Sequence, residues 1–301
     1  MKTIVLNASN LVNNGLNNQF VYLFPNSVSI KNSYMSVASV AIYYSWYNIS
    51  LALGNNSFTY TWTSGTTTTT YSVIIPDGIY QISDLNSLFQ YTMITNGHYL
   101  VNSSGQNVYY VEFIVNPTRY AVQLNTFLVP TSLPTGYTQP AGFAGFPTTA
   151  RNSVVTIPPI SPAITGLGVL LGFKQGLVTA INASSATTGT YVSTNSAGTI
   201  SYISTSAPNI QPNSSLLFSS TGIDNNYSVP NSIIYSISPN VGVGSIITDK
   251  PPNYLWNKMY DGFYNQLTIT ILGTNLQPIQ LNDPSTTIML TIATAEERGL
   301  K

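Results

Sequence analysis

Charge is what this chain has least of. Asp, Glu, Lys and Arg make up 6% of its 301 residues, nine acids balancing nine bases with a single histidine, where a soluble domain ordinarily carries about 25%. The surface must therefore be Asn, Gln, Ser, Thr and Tyr. Phosphate recognition needs clustered Lys and Arg, and here the bases are scattered singly from Lys2 to Lys301, which argues against nucleic acid as the main partner. Cysteine is absent, so there is no disulfide framework and no thiolate metal site. Long apolar runs are missing as well. The best, GVLLGF from Gly168 to Phe173, falls far short of the ~18 residues of a membrane span. The apolar run of MKTIVLNASN is too short for the core of a signal peptide.

What is present predicts a compact fold. The chain is 43% hydrophobic and 12% aromatic, whereas disorder goes with low hydrophobicity and high net charge. Its length suffices to bury roughly 75% of the unfolded surface, as one large or two modest domains. An amide-rich surface of near-zero net charge repels its own copies poorly, so self-association is physically easy.

Hydropathy alternates with a period of two. Val40, Ile42, Tyr44 and Trp46 face one way and Ala41, Tyr43, Ser45 and Tyr47 the other, as a half-buried strand requires. Met35 and Val37 lie on the opposite parity, which predicts a bulge at Ala38 and Ser39. Further strands are expected at 57–62, 68–75, 108–115, 119–129, 215–220, 232–237, 265–272 and 287–292, with Gly, Pro and Asn between them. This pattern indicates an all-β sandwich or barrel. One helix is expected in SDLNSLFQYTMITNG, with Ser83 as N-cap, Asp84 in the first turn, an apolar stripe of Leu85, Leu88, Phe89 and Met93, and a left-handed stop at Asn96 and Gly97. From about residue 130 to 212 the chain turns loop-rich. Pro130, Pro134, Pro140, Pro147, Pro158, Pro159 and Pro162 interrupt any ladder, and the low-complexity run NASSATTGTYVSTNSAGT follows. We read a single domain over 1–301 with this stretch as an insertion.

Catalytic patterns are weak. His98 follows the helix stop without the Cys or acid neighbours of a metal site, and reads as a satisfied loop histidine. No GxSxG elbow is present, and the glycines at 166, 168 and 172 lack the P-loop ending and the dinucleotide spacing. Glu112 is the acid least easily explained by a turn or cap, and a solvent-facing pairing with Arg119 across a hairpin is its expected role. Trp46, Trp62 and Trp256 suit either a sugar-stacking platform or packing. No catalytic, cofactor-binding or metal-binding residue is assigned.

Four stretches, IPDGIYQISDLNSLFQYTMITNGHYL, VEFIVNPTRYAVQLN, LGVLLGF and DGFYNQLTITILGTNLQPIQLNDPSTTIMLTI, carry a resemblance to the penton, or minor capsid, proteins of virophages and Polinton-type DNA elements, nearest to those of mavirus-like virophages. The resemblance spreads over most of the chain, outside the low-complexity run. It implies a single jelly-roll β-sandwich with one short helix, non-enzymic and without cofactor. It also implies homopentamers at the fivefold vertices of a virion assembled inside the host cell, beside a double jelly-roll major capsid protein. The alternatives are a carbohydrate- or receptor-binding β-sandwich and, behind it, a glycoside hydrolase. In NKMYDGFYNQLTITIL, Leu267, Ile269 and Ile271 are expected on the core face with Ile288, Leu290 and Ile292 as partners, and Lys258 and Asp261 at the strand mouth as interface contacts.

Overall fold

Period-two alternation builds eight antiparallel strands from the two ends of the chain, Met1–Tyr47 and Asn213–Lys301, which together form one compact unit of a computed structural model; Asn48–Pro212 forms a second. The structure describes all residues except 158–165, 174–189, 196, 212, 226 and 299–301. Pro158, Pro159, Pro162 and the first part of the low-complexity run lie outside the described residues.

In the first unit the strands are, in chain order, Lys2–Leu6, Gln19–Ile30, Ser33–Tyr43, Leu216–Ser220, Ile233–Ile237, Ile246–Asp249, Gly262–Leu272 and Thr287–Thr294. One sheet pairs them first, eighth, third, sixth, with Asn257–Lys258 also on the third; the other pairs them second, seventh, fourth, fifth. That is the double Greek key of a jelly roll. Ile4, Leu6, Met35, Val37, Val40, Ile42, Ile288 and Leu290 are buried from the first sheet, and Phe20, Leu216, Phe218, Leu267, Ile269 and Ile271 from the second. Each such side chain contributes about 1.5–3 kcal/mol of burial. The predicted bulge is present, because Met289 pairs with Ser39 and Leu290 with Val37, leaving Ala38 over.

The last two strands are not paired with each other, contrary to the sequence expectation. Gly262–Leu272 lies between the second and fourth strands, and Thr287–Thr294 between the first and third. Alternation reports which face is buried and leaves the neighbour open; the connection after Leu272 carries the chain from one sheet to the other. Thr268, on the face opposite Leu267, Ile269 and Ile271, is also buried; Thr221 lies against it, donating its N–H to the Thr268 carbonyl at 3.0 Å and accepting the Thr268 N–H at 3.0 Å.

The second unit begins with a buried amide network. Asn48 donates to the carbonyls of Tyr80 and Ile210, both at 2.8 Å, and Asn55 donates to the Asn48 carbonyl at 2.9 Å. The hairpin Ser57–Ser64 and Thr67–Ile74 turns at Gly65, so the threonine run is strand as expected. The strands Val111–Asn116, Ala121–Thr126, Ile200–Ser204 and Thr190–Thr194 form a four-stranded sheet, the last two from within the region expected to be loops. LGVLLGF is a short helical turn, Leu167–Leu170, with Leu167, Leu170, Leu171 and Phe173 in the core of this unit.

Against that core lies the helix Ile82–Thr95, burying Ile82, Leu85, Phe89 and Met93. Its cap is Gln81, extended at φ −93° and ψ 171°, and Ser83 falls inside the first turn. Asp84 accepts the Gln81 N–H at 2.8 Å, so the acid and not the serine closes the helix start. Asp84→Ala is expected to cost about 1 kcal/mol by urea denaturation, and Ser83→Ala less than half of that. At the other end Gly97, φ +68°, donates to Ile94 and His98 to Met93, the Schellman pattern. A Cβ on Gly97 would meet the Gly142 carbonyl oxygen at 2.1 Å.

Candidate assembly interface

The segment from Pro251 to Phe263 enters the seventh jelly-roll strand and carries side chains that stand in water. Tyr254, Leu255 and Tyr260 are about half exposed and Phe263 is 79% exposed. Backbone bonds hang the loop 221–232 on it: Tyr260 donates to Gly222 at 2.9 Å and Asp224 to the Lys258 carbonyl at 2.8 Å. Met259, wholly buried, bridges to Ile223. That loop presents Tyr227, fully exposed, and Val229, 91% exposed. Between them runs a groove of about 590 Å³ whose walls include Tyr254, Leu255, Trp256, Ile233 and Tyr235. The Arg298 guanidinium lies 4.0 Å over the Tyr34 ring and 5.2 Å from that of Trp256, a cation–π arrangement that holds Trp256 half-buried.

Lys258 and Asp261 have separate duties. Lys258 pairs through its backbone with Tyr34 and exposes its side chain. Asp261 accepts the backbone N–H of Asn32 at 2.8 Å, at a residue with φ +43°. The carboxylate therefore stabilises the turn between the second and third strands. Burial raises the Tyr264 hydroxyl pKa, with Asp261 adding to the effect. Lys258→Glu is expected to change folding stability by less than about 0.5 kcal/mol, whereas Asp261→Lys costs about 1 kcal/mol or more by removing the acceptor. Urea denaturation of the two variants distinguishes them, and only Lys258→Glu isolates an effect on association.

The other residues singled out by sequence are placed elsewhere. Glu112 sits opposite Asn125 and accepts its amide at 2.8 Å, while Arg119 is in the turn at the far end of that hairpin. The expected Glu112–Arg119 pairing is thus replaced by a cross-strand ladder in which Gln123 and Ser201 also donate to Asn125. Its members are amides and hydroxyls, with no second carboxylate of the kind glycoside hydrolysis requires. Trp46 and Trp62 are buried, which leaves Trp256, 5.2 Å from Tyr254, as the tryptophan of a surface platform. Among the described residues no group of three or more His, Asp and Glu side chains could hold a metal. No helix among them is long and apolar enough to cross a membrane.

His98 lies between the helix stop and the next strand, as expected, and is wholly buried. Its Nδ1 lies 2.7 Å from the Tyr60 hydroxyl, which also accepts from Asn96 at 3.1 Å. Since the Asn96 amide is the donor there, the Tyr60 hydroxyl donates to Nδ1, and the ring proton resides on Nε2, which has no hydrogen-bond partner. Trp62 stacks on the imidazole at 4.6 Å and Tyr71 meets it edge-on at 4.5 Å. Burial pulls its pKa down to about 4. Sequence showed a lone histidine; the cage of rings comes from strands distant in the chain.

No family model matches the chain, and no curated protein does. Among solved structures it is similar to the selenomethionine-labelled mavirus penton protein, at 10% identity and a TM-score of 0.41, over 97% of this chain and 98% of that one.

Proposed function

We propose that the chain is a structural capsid protein, a penton whose copies form a ring of five at the fivefold vertices of an icosahedral virion. The observation that carries the reading is the surface of the jelly-roll unit. Tyr227, Val229, Tyr254, Leu255, Tyr260 and Phe263 stand exposed beside few charged side chains, Lys258 and Asp261 among them. Exposed apolar groups in number mark contact surfaces, and a surface so poor in ions meets its copies without desolvating many charges. Jelly rolls recur in capsids, and the resemblance of the four sequence stretches to pentons points the same way, although a fold by itself does not decide function. In a cyclic pentamer the contact is heterologous, so this surface on one copy meets a different surface on the next. The partner beyond the ring is a double jelly-roll major capsid protein, and the role is non-enzymic.

The test is assembly. Purified protein examined by multi-angle light scattering and negative-stain microscopy is expected to contain fivefold rings, and to enter shells when co-expressed with a double jelly-roll capsid protein of the same virus. A strictly monomeric protein that never enters shells sinks the proposal. Lys258→Glu, which leaves folding intact, is expected to weaken ring formation. A second reading, a carbohydrate-binding module, draws on the Tyr254–Trp256 pair alone; glycan-array binding abolished by Tyr254→Ala would favour it.

A further inference from the structure

At the edge of the sandwich formed by the first and second strands the two sheets are open. The first strand, Lys2–Leu6, has a neighbour on one side only, as does the second, Gln19–Ile30. Between these edges lies a slot of about 400 Å³, within the ~300–1,000 Å³ range of small-molecule sites. Its lining joins an apolar group, Ile4, Tyr22, Phe24, Val28, Ile30 and Ile292, to the polar Thr3, Ser29, Ser33 and Thr294. Tyr22 and Phe24 meet edge to face at 5.1 Å and shape one wall. The rim carries two lysines and one carboxylate. Lys2 and Lys31 border the slot, both exposed and neither ammonium bonded within the described residues. The carboxylate at the rim, Glu297, is engaged by the Met1 amine and by the Thr294 N–H, the latter at 3.0 Å.

We propose that this slot binds a single-chain amphiphile with a carboxylate head, a fatty acid of medium to long chain. The apolar part of the lining and the two exposed, unbonded lysines match the tail and the anionic head of such a ligand. The two exposed lysines supply orientation and a modest gain for the carboxylate, and the tail supplies most of the affinity.

The test uses the full chain and a series of saturated fatty acids below their micelle concentrations, followed by isothermal titration calorimetry and by competition with cis-parinaric acid fluorescence. Saturable binding of one molecule per chain is expected, tightening roughly tenfold for each two methylenes added until the slot is full. Ile292→Trp fills the slot and is expected to lower affinity at least tenfold; if it fails to fold, Val28→Trp on the half-buried rim serves the same purpose. The double charge reversal Lys2→Glu, Lys31→Glu is expected to weaken myristate about threefold to tenfold and to leave myristyl alcohol unchanged. Absence of saturable binding, indifference to the slot-filling changes, or equal loss for acid and alcohol would each overturn the proposal. Self-association abolished by Val28→Trp without any fatty-acid binding would overturn it too and assign the slot to a second copy.

Discussion

Phe89→Ala should be among the most damaging single changes in the chain, lowering stability by about 3–5 kcal/mol. Phe89 is wholly buried and lies at the centre of an aromatic cluster, with ring centroids at 5.0 Å to Phe58, 5.0 Å to Tyr60 and 6.0 Å to Phe113. The loss combines burial, the cavity left behind and edge-to-face contacts each worth about 0.5–1.5 kcal/mol beyond area. The helix that carries it is tied to the neighbouring sheet by Asn86, whose side-chain oxygen accepts the Phe113 N–H at 2.9 Å, so it has little freedom to collapse inward. Leu88, one position earlier and only half-buried, provides the contrast, with an expected cost near 1 kcal/mol. In urea, Phe89→Ala should shift the midpoint strongly with unchanged slope. A shift no larger than that of Leu88→Ala would mean that the cluster does not anchor the helix.

That helix was legible because its signals are local. An apolar stripe repeating every three to four residues needs no distant partner to be recognised, and Gly97 marks its own stop. Side-chain type favours Ser83 as the cap, while the backbone turns extended at Gln81. Strands were legible where alternation was clean, and so was the bulge at Ala38. Gln19–Ile30 escaped because its register jumps from Leu23 to Val28, putting Pro25 and Asn26 in the middle of the pattern. Strand pairing was illegible for a different reason. Leu267 and Leu290 are both core residues, yet which strands neighbour them is decided by crossovers far away in the chain. The candidate interface shows the same limit: Asp261 looked like a free contact, and its partner, the N–H of Asn32, comes from the other end of the sequence.

Acid should unfold this protein partly through His98, and the direction follows from its burial. In the unfolded chain the imidazole takes a proton near its ordinary pKa of 6.5; in the folded chain it does so only near about 4. Between those values the unfolded state binds more protons, so stability is fully present above pH 6.5 and is lost as the pH falls toward 4. A difference of roughly 2.5 units corresponds to about 3 kcal/mol. The groups facing the ring are Tyr60, Trp62, Tyr71 and the Asn96 that bonds Tyr60, none of which bears a negative charge to receive an imidazolium. The Tyr60 hydroxyl could accept from a protonated Nδ1 only by turning its own proton away from the acceptor it now has. His98→Phe keeps the stack on Trp62 and removes the titration. The variant should be the less stable protein at pH 7.5, where it lacks the Tyr60 hydrogen bond. The gap between it and the wild type should narrow by about 3 kcal/mol on descending to pH 4, the carboxylates being common to both. If urea unfolding showed a gap that stayed constant over that range, His98 would titrate normally in the folded state and the ring cage would have to open to water.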